Sequence, residues 1–201
     1  MARAIAATDR AAAVRLLDDA FAELERVAAR ESDLGEPSAM VVAAALLPAV
    51  ERAAPDRLGE LIGRAVLLRH ARGDQTAAGE YALARHTAQL AMLVARYDRG
   101  VAARILQPEL DQIRTHRGNR GVGVDFVAPN ALAALALIDP RRAVAMVEAL
   151  ADDPASDDIS NGTKYQALTS VAKLLALHGD DRWRRVYQQF LYLWTPDQRY
   201  L

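Results

Sequence analysis

Ala136-Leu137-Ile138-Asp139-Pro140-Arg141-Arg142-Ala143-Val144-Ala145-Met146-Val147 sets an aspartate and a proline between two apolar stretches. A short acidic side chain at such a place can accept backbone N–H bonds as a helix N-cap. Proline after it suits the first helical position. Ala143 offers a small contact point, and Met146-Val147 continues an apolar helical face. The unit reads as helix, tight corner, helix. The same arrangement occurs in Ala6-Ala7-Thr8-Asp9-Arg10-Ala11-Ala12-Ala13-Val14-Arg15-Leu16-Leu17 and in Ala95-Arg96-Tyr97-Asp98-Arg99-Gly100-Val101-Ala102-Ala103-Arg104-Ile105-Leu106. A weaker copy runs Glu51-Arg52-Ala53-Ala54-Pro55-Asp56-Arg57-Leu58, followed by Leu61 and Ile62. With Asp9, Ala54, Asp98 and Asp139 as equivalents, the spacings are 45, 44 and 41 residues.

A helix pair every ~40–47 residues is the HEAT or armadillo period, longer than that of tetratricopeptide repeats. On these residues the chain resembles the α-helical repeat superfamily, and HEAT-type repeats more than any other. The Trp/Gly/Tyr signature of tetratricopeptide repeats is missing. The resemblance implies an all-α fold: an α/α superhelix, or solenoid, of about four antiparallel helix pairs. It also implies use as a non-enzymatic protein-interaction scaffold. Residues 1–201 are expected to form a single helical-repeat domain. Residues 1–7 read as the end of a helix, which adds the expectation that the chain is the C-terminal part of a longer array.

The expected helices are Arg10 to Ala29, Ser38 to Ala53 with a kink at Pro48, Asp56 to Arg69, Thr76 to Arg96, and Arg99 to Thr115 with Pro108 bending or breaking it. A Gly-rich loop is expected from His116 to Ala128. Pro129 to Leu137, Pro140 to Leu150, Gly162 to His178 and Asp181 to Leu193 complete the set. Loops are expected from Glu31 to Pro37 and, acidic, before Gly162.

Composition agrees with helix. Of 201 residues 42 are Ala and 26 Leu, and only 5% are aromatic. Alanine is the best helix former and lets helices approach closely. No apolar run reaches the ~18 residues of a membrane helix, and the longest, Ala39 to Val50, contains Pro48. The absence of Cys excludes a disulfide scaffold, a Cys-ligated zinc site and a thiol nucleophile. Only Lys164 and Lys173 among the 25 basic residues are lysines, a bias that fits a GC-rich bacterial genome. The opening residues carry no signal peptide, so cytoplasm is the expected location.

The net charge of −1 is unevenly spread. Residues 1–63 hold 7 basic and 11 acidic side chains, residues 64–120 hold 10 and 5, and residues 121–201 hold 8 and 10. A basic middle can meet an anionic partner, so nucleic acid is the second reading. A net charge near zero favours a protein partner instead. The basic segment is expected to line the groove of the stack.

Two stretches are candidate binding sites. Arg114-Thr115-His116-Arg117-Gly118-Asn119-Arg120-Gly121-Val122-Gly123 gathers three Arg, one His and three Gly. Glycine backbones and Arg forks can hold an anion, though no Walker motif is present. Arg114, His116, Arg117 and Arg120 are its candidates. The second is the C-terminal aromatic helix, with Trp183, Tyr187, Phe190 and Trp194 on one face and Arg184 and Arg185 beside them. Aromatics with Arg are enriched at binding hot spots; the plainer reading is a bulky cap on an alanine-lined stack. Trp183, Arg184 and Tyr187 are its candidates.

No cofactor, metal or catalytic residue is expected. His70, His86, His116 and His178 lack the i, i+4 spacing of a helical metal site. Asp152, Asp153, Asp157 and Asp158 lack the calcium-loop spacing. An enzyme on an α/α scaffold is the third reading, with no acid/base pair to support it by spacing.

Overall fold

The computed structural model describes residues 9–28, 39–68, 77–115, 122–151 and 162–194. Among these the chain is all-α, with no strand. The helices are α1 (Arg10–Ala28), α2 (Ala39–Ala53), a 3-10 turn (Pro55–Arg57), α3 (Leu58–Leu67) and α4 (Ala77–Val94). They continue with α5 (Arg99–Thr115), α6 (Val122–Ile138), α7 (Pro140–Glu148), α8 (Thr163–Leu177) and α9 (Trp183–Trp194). The chain forms two compact units, residues 1–94 and 95–201.

The repeated corner has one geometry in three places. Asp9 Oδ1 accepts from Ala12 N at 2.9 Å, Asp98 Oδ1 from Val101 N at 2.9 Å, and Asp139 Oδ1 from Arg142 N at 3.0 Å. Each aspartate thus satisfies one of the N–H groups that a helix start leaves without a partner. The alanine four residues on, Ala13, Ala102 or Ala143, is fully buried. In the weaker copy Ala54 has no side chain to cap with, and the chain turns through Pro55–Arg57 before α3 begins. A fifth corner lies at Arg182, 43 residues after Asp139. Its carbonyl accepts from Val186 N at 3.2 Å, the bond that the Asp9, Asp98 and Asp139 carbonyls accept at their own corners. Val186, four residues on, is fully buried.

In the first unit α2 packs against α1, α3 and α4. Its buried face is Ala39, Met40, Ala43, Ala44, Leu47, Val50 and Ala53. In the second unit α6 packs against α5, α7 and α8, and α8 carries α9. From Val127 onward α6 is buried on nearly every side, as expected of a helix that is apolar all round. Alanines supply much of both cores, so neighbouring backbones pack closely. Between α8 and α9 the chain reverses at Gly179, whose φ of 71° lies in the left-handed region. Asp180 N then bonds Leu175 O at 2.9 Å, closing the end of α8.

Two expectations need correction. The loop expected from His116 to Ala128 is helical from Val122 onward, and Pro129 lies inside α6 instead of starting it. Pro48 and Pro108 sit inside helices Ala39–Ala53 and Arg99–Thr115, as expected for Pro48, and Pro108 does not break its helix. An interior proline costs ~3 kcal/mol and glycine ~1 kcal/mol relative to alanine. Burial of an Ala/Leu-rich helix against three neighbours exceeds that local penalty. Residues 1–7, the loop from Glu31 to Pro37, and Asp152, Asp153, Asp157 and Asp158 lie outside the described residues.

Candidate functional site

Arginines join alternate helices within each unit. Arg57 Nη1 donates to Asp18 Oδ1 and Oδ2 at 2.7 and 2.8 Å, linking the start of α3 to α1. Arg142 Nη2 donates to Gln107 Oε1 at 3.3 Å, linking α7 to α5. Arg185 links α9 to α7, through Nε to Glu148 Oε1 at 2.6 Å and Nη2 to Oε2 at 2.8 Å. Each arginine is the third residue after its corner, and each acceptor is the ninth residue after the preceding corner. Between the second and third copies the same positions are Gly63 and Val101, which have no polar side chain.

The first unit adds a second rung. Arg64 Nε donates to Glu25 Oε1 at 2.7 Å, and its guanidinium lies 5.2 Å from the Phe21 ring centre. Asp18–Arg57 and Glu25–Arg64 share one register of 39 residues, so α1 and α3 run parallel. Arg57 also holds Glu60 through a two-bond fork. The Glu60 and Asp18 carboxylates hold the Arg57 guanidinium above its ordinary range. Arg57 in turn lowers the Glu60 carboxyl, and Arg64 lowers that of Glu25.

The candidate anion loop is only partly within view. Arg114 lies at the end of α5 and donates to Asp111 Oδ1 at 2.9 Å. The same oxygen accepts from Gln107 Nε2 at 2.8 Å, so Arg114 belongs to the network that reaches Arg142. His116, Arg117 and Arg120 lie outside the described residues. His86 is half-buried in α4, and His178 is exposed at the end of α8. His70 is outside the described residues. Among the described residues no three His, Asp or Glu side chains gather as a metal site.

The aromatic helix divides its residues between two faces. Val186 is buried, and the Phe190 ring packs on Tyr165 of α8 at 4.8 Å. Gln189 joins Arg185 on Glu148, at 3.2 Å. These contacts fix the inner face. Tyr187 stacks on Phe190 at 5.3 Å with its ring planes 16° apart, and Trp183 lies 6.2 Å from Tyr187. Arg184 lies 5.5 Å over the Trp183 ring and donates to Asp181 at 2.6 Å. The outer face exposes Tyr187, Leu191 and Tyr192, the last at 72%. The spacing rule thus finds the aromatic row, but the row turns from outside at Tyr187 to inside at Phe190. Leu191 and Tyr192 complete the exposed patch, and sequence reasoning omitted Leu191. Its signal was the i, i+4 step from Tyr187.

No helix among the described residues is long and apolar enough to cross a membrane. Comparison of the chain with protein-family models, with curated proteins and with solved structures finds no match.

Proposed function

We propose that the chain is a non-enzymatic protein-interaction scaffold of HEAT-like helical repeats, stacked as an α/α superhelix within each unit, and that it binds through the outer face of α9. The observation that carries this reading is the exposed row Tyr187, Leu191 and Tyr192 on a helix whose inner face is fixed by Val186, Phe190 and Glu148. Rigid aromatic side chains on a fixed helix lose little freedom on binding, which suits them to anchor a partner. The recurring Arg rungs support the repeat reading, because they place helices one period apart side by side. Arginines lower the proton affinity of the Glu25 and Glu60 carboxyl groups, so neither is set up as a general acid. A general acid needs the opposite shift.

The test is capture from a lysate of the source cells on the immobilised full chain, at low and high salt, with and without nuclease. The wild-type chain is expected to retain a protein through nuclease and salt. A Tyr187→Ala/Tyr192→Ala variant should lose at least tenfold of that protein. Equal capture by the variant would overturn the α9 surface. Nuclease-sensitive, salt-labile capture would move the reading to nucleic acid and to the arginines of residues 64–120.

A further inference from the structure

Each unit shows how this repeat covers one of its own helices. The incoming helix sets the third residue after its corner against the ninth residue after the preceding corner. On α1 and α7 that ninth residue is Asp18 and Glu148, and the incoming residue is Arg57 and Arg185. The seventh residue after the corner is Leu61 on α3, fully buried, and on α7 and α9 it is Met146 and Gln189, both half-buried.

Besides Gly63 on α3 and Val101 on α5, two further positions lack the rung residues, and these two match. On α9 the ninth residue is Leu191, which is 41% exposed and flanked by exposed Tyr187 and Tyr192. A leucine there cannot pair with an incoming arginine. On α1 the third residue is Ala12, not arginine, and the seventh is Leu16, which is 37% exposed. Ala12, Leu16, Asp19 and Glu23 fall at i, i+4, i+7 and i+11 and share one face of α1. Asp19 gives that face an exposed carboxylate, while Glu23 pairs with Arg26. On α9, Arg184 is exposed and held by Asp181, and Arg185 is taken up by Glu148 on the inner face. The α1 face therefore fits the α9 face in register and in apolar character, with Asp19 and Arg184 of opposite charge.

We propose that α9 of one copy receives α1 of a second copy, so that the repeat continues head to tail between chains. The proposal rests on the α9 surface argued above and names its occupant. Two different patches meet, so the contact is heterologous. It leaves one α9 face and one α1 face open for further copies. Asp19 and Arg184 are exposed and of opposite charge, so the association should weaken as salt rises.

The experiment is sedimentation equilibrium of the full chain over a micromolar concentration series, with Leu16→Glu and Leu191→Glu. Both leucines are partly exposed, so both variants should keep the wild-type helical circular dichroism and melting temperature. Tyr187→Ala supplies a second α9 variant that adds no charge. The wild-type average mass should rise above the monomer's 21.9 kDa and pass that of two chains. Each variant alone should associate at least tenfold more weakly. An equimolar mixture of Leu16→Glu and Leu191→Glu should form a two-chain complex and nothing larger, because one intact face of each kind remains. A wild-type chain that stays monomeric throughout overturns the proposal. So does a two-chain plateau with no complex in the mixture, which would mark a face-to-face dimer. So does association unchanged by the variants. If the wild-type chain is monomeric while lysate capture still depends on Tyr187, the scaffold reading stands and the second copy is excluded. If capture is also independent of Tyr187, both fall.

Discussion

Arg57 and Asp18 lie 39 residues apart in sequence and share two hydrogen bonds, at 2.7 and 2.8 Å, across parallel helices. The same relation recurs at Arg185 and Glu148, three repeats further along the chain. A corner that starts a helix therefore also ties that helix to its predecessor. Capping is local and the rung is not, and the two meet at Arg142, whose N–H is capped by Asp139 and whose side chain reaches Gln107.

The rungs should couple energetically. In a double-mutant cycle, Arg185→Ala and Glu148→Ala together should cost less than the sum of the two alone. The coupling expected for so exposed a pair is about 0.2–1 kcal/mol. Arg57→Ala and Asp18→Ala should be non-additive in the same direction. Urea unfolding of the four chains in each cycle measures this. Additive losses would mean that the bonds contribute nothing to stability.

The aspartate caps should each contribute separately. Asp98→Ala and Asp139→Ala leave Val101 N and Arg142 N without their side-chain acceptor. Each should lower unfolding stability by about 1 kcal/mol, and Asp→Asn at the same sites by less. The corners at Asp98 and Asp139 are distant in sequence and share no partner, so the two losses should add. Thermal and urea melts of the single and double variants check both points.

These corners were legible because their signal is local: an aspartate, a small residue four positions on, and an apolar pair. The fifth corner escaped because Arg182 carries no capping side chain. The rungs escaped too, since Arg142 and Arg185 look like any surface arginine until Gln107 and Glu148 are brought beside them. Helix α6 was cut short for the converse reason. Gly121, Gly123 and Pro129 are strong local punctuation, and burial between α5, α7 and α8 is decided elsewhere in the chain. At the aromatic helix, spacing found the row of rings. Only the packing of Tyr165 on Phe190 separates the half that stabilises the fold from the half that faces outward.

That separation predicts opposite responses to truncation. Leu135 is fully buried in the last turn of α6, so Leu135→Ala should cost ~2–5 kcal/mol through lost burial and the cavity left behind. Tyr192 is 72% exposed, so Tyr192→Ala should change stability by no more than ~0.5 kcal/mol. Chemical denaturation distinguishes them. A large loss at Tyr192 would show that its ring is needed for folding.

Acid should weaken the first unit through Glu25. Its carboxyl sits below the ordinary value of 4.5 because Arg64 hydrogen-bonds it. The unfolded chain therefore takes up this proton at a higher pH than the folded chain does. The stabilisation is fully present above the unfolded value and is lost as pH falls below it and through the folded value. Glu25→Gln should flatten the fall in melting temperature below about pH 5 relative to wild type. High salt should shrink the difference, because the pair is half exposed. Melting curves across this range, at two salt concentrations, test it. Parallel curves for the two chains would contradict the role given to Arg64.

Pro108 offers a gain in place of a loss. It lies inside α5 on the exposed side, so its ring contributes little to the core. It has no N–H to donate to the carbonyl of Arg104, four residues before it, and its ring crowds that carbonyl. Pro108→Ala restores the donor and removes the crowding. Stability should rise, by at most the ~3 kcal/mol that separates the two residues in a helix interior. Part of that is offset, because alanine also frees the unfolded chain. Pro129 is buried, so Pro129→Ala gains the same bond but loses packing, and its gain should be smaller. Melting temperatures of the two variants make the comparison. A Pro108→Ala chain less stable than wild type would mean that the bend imposed by the ring is itself required by the packing of α5 on α6.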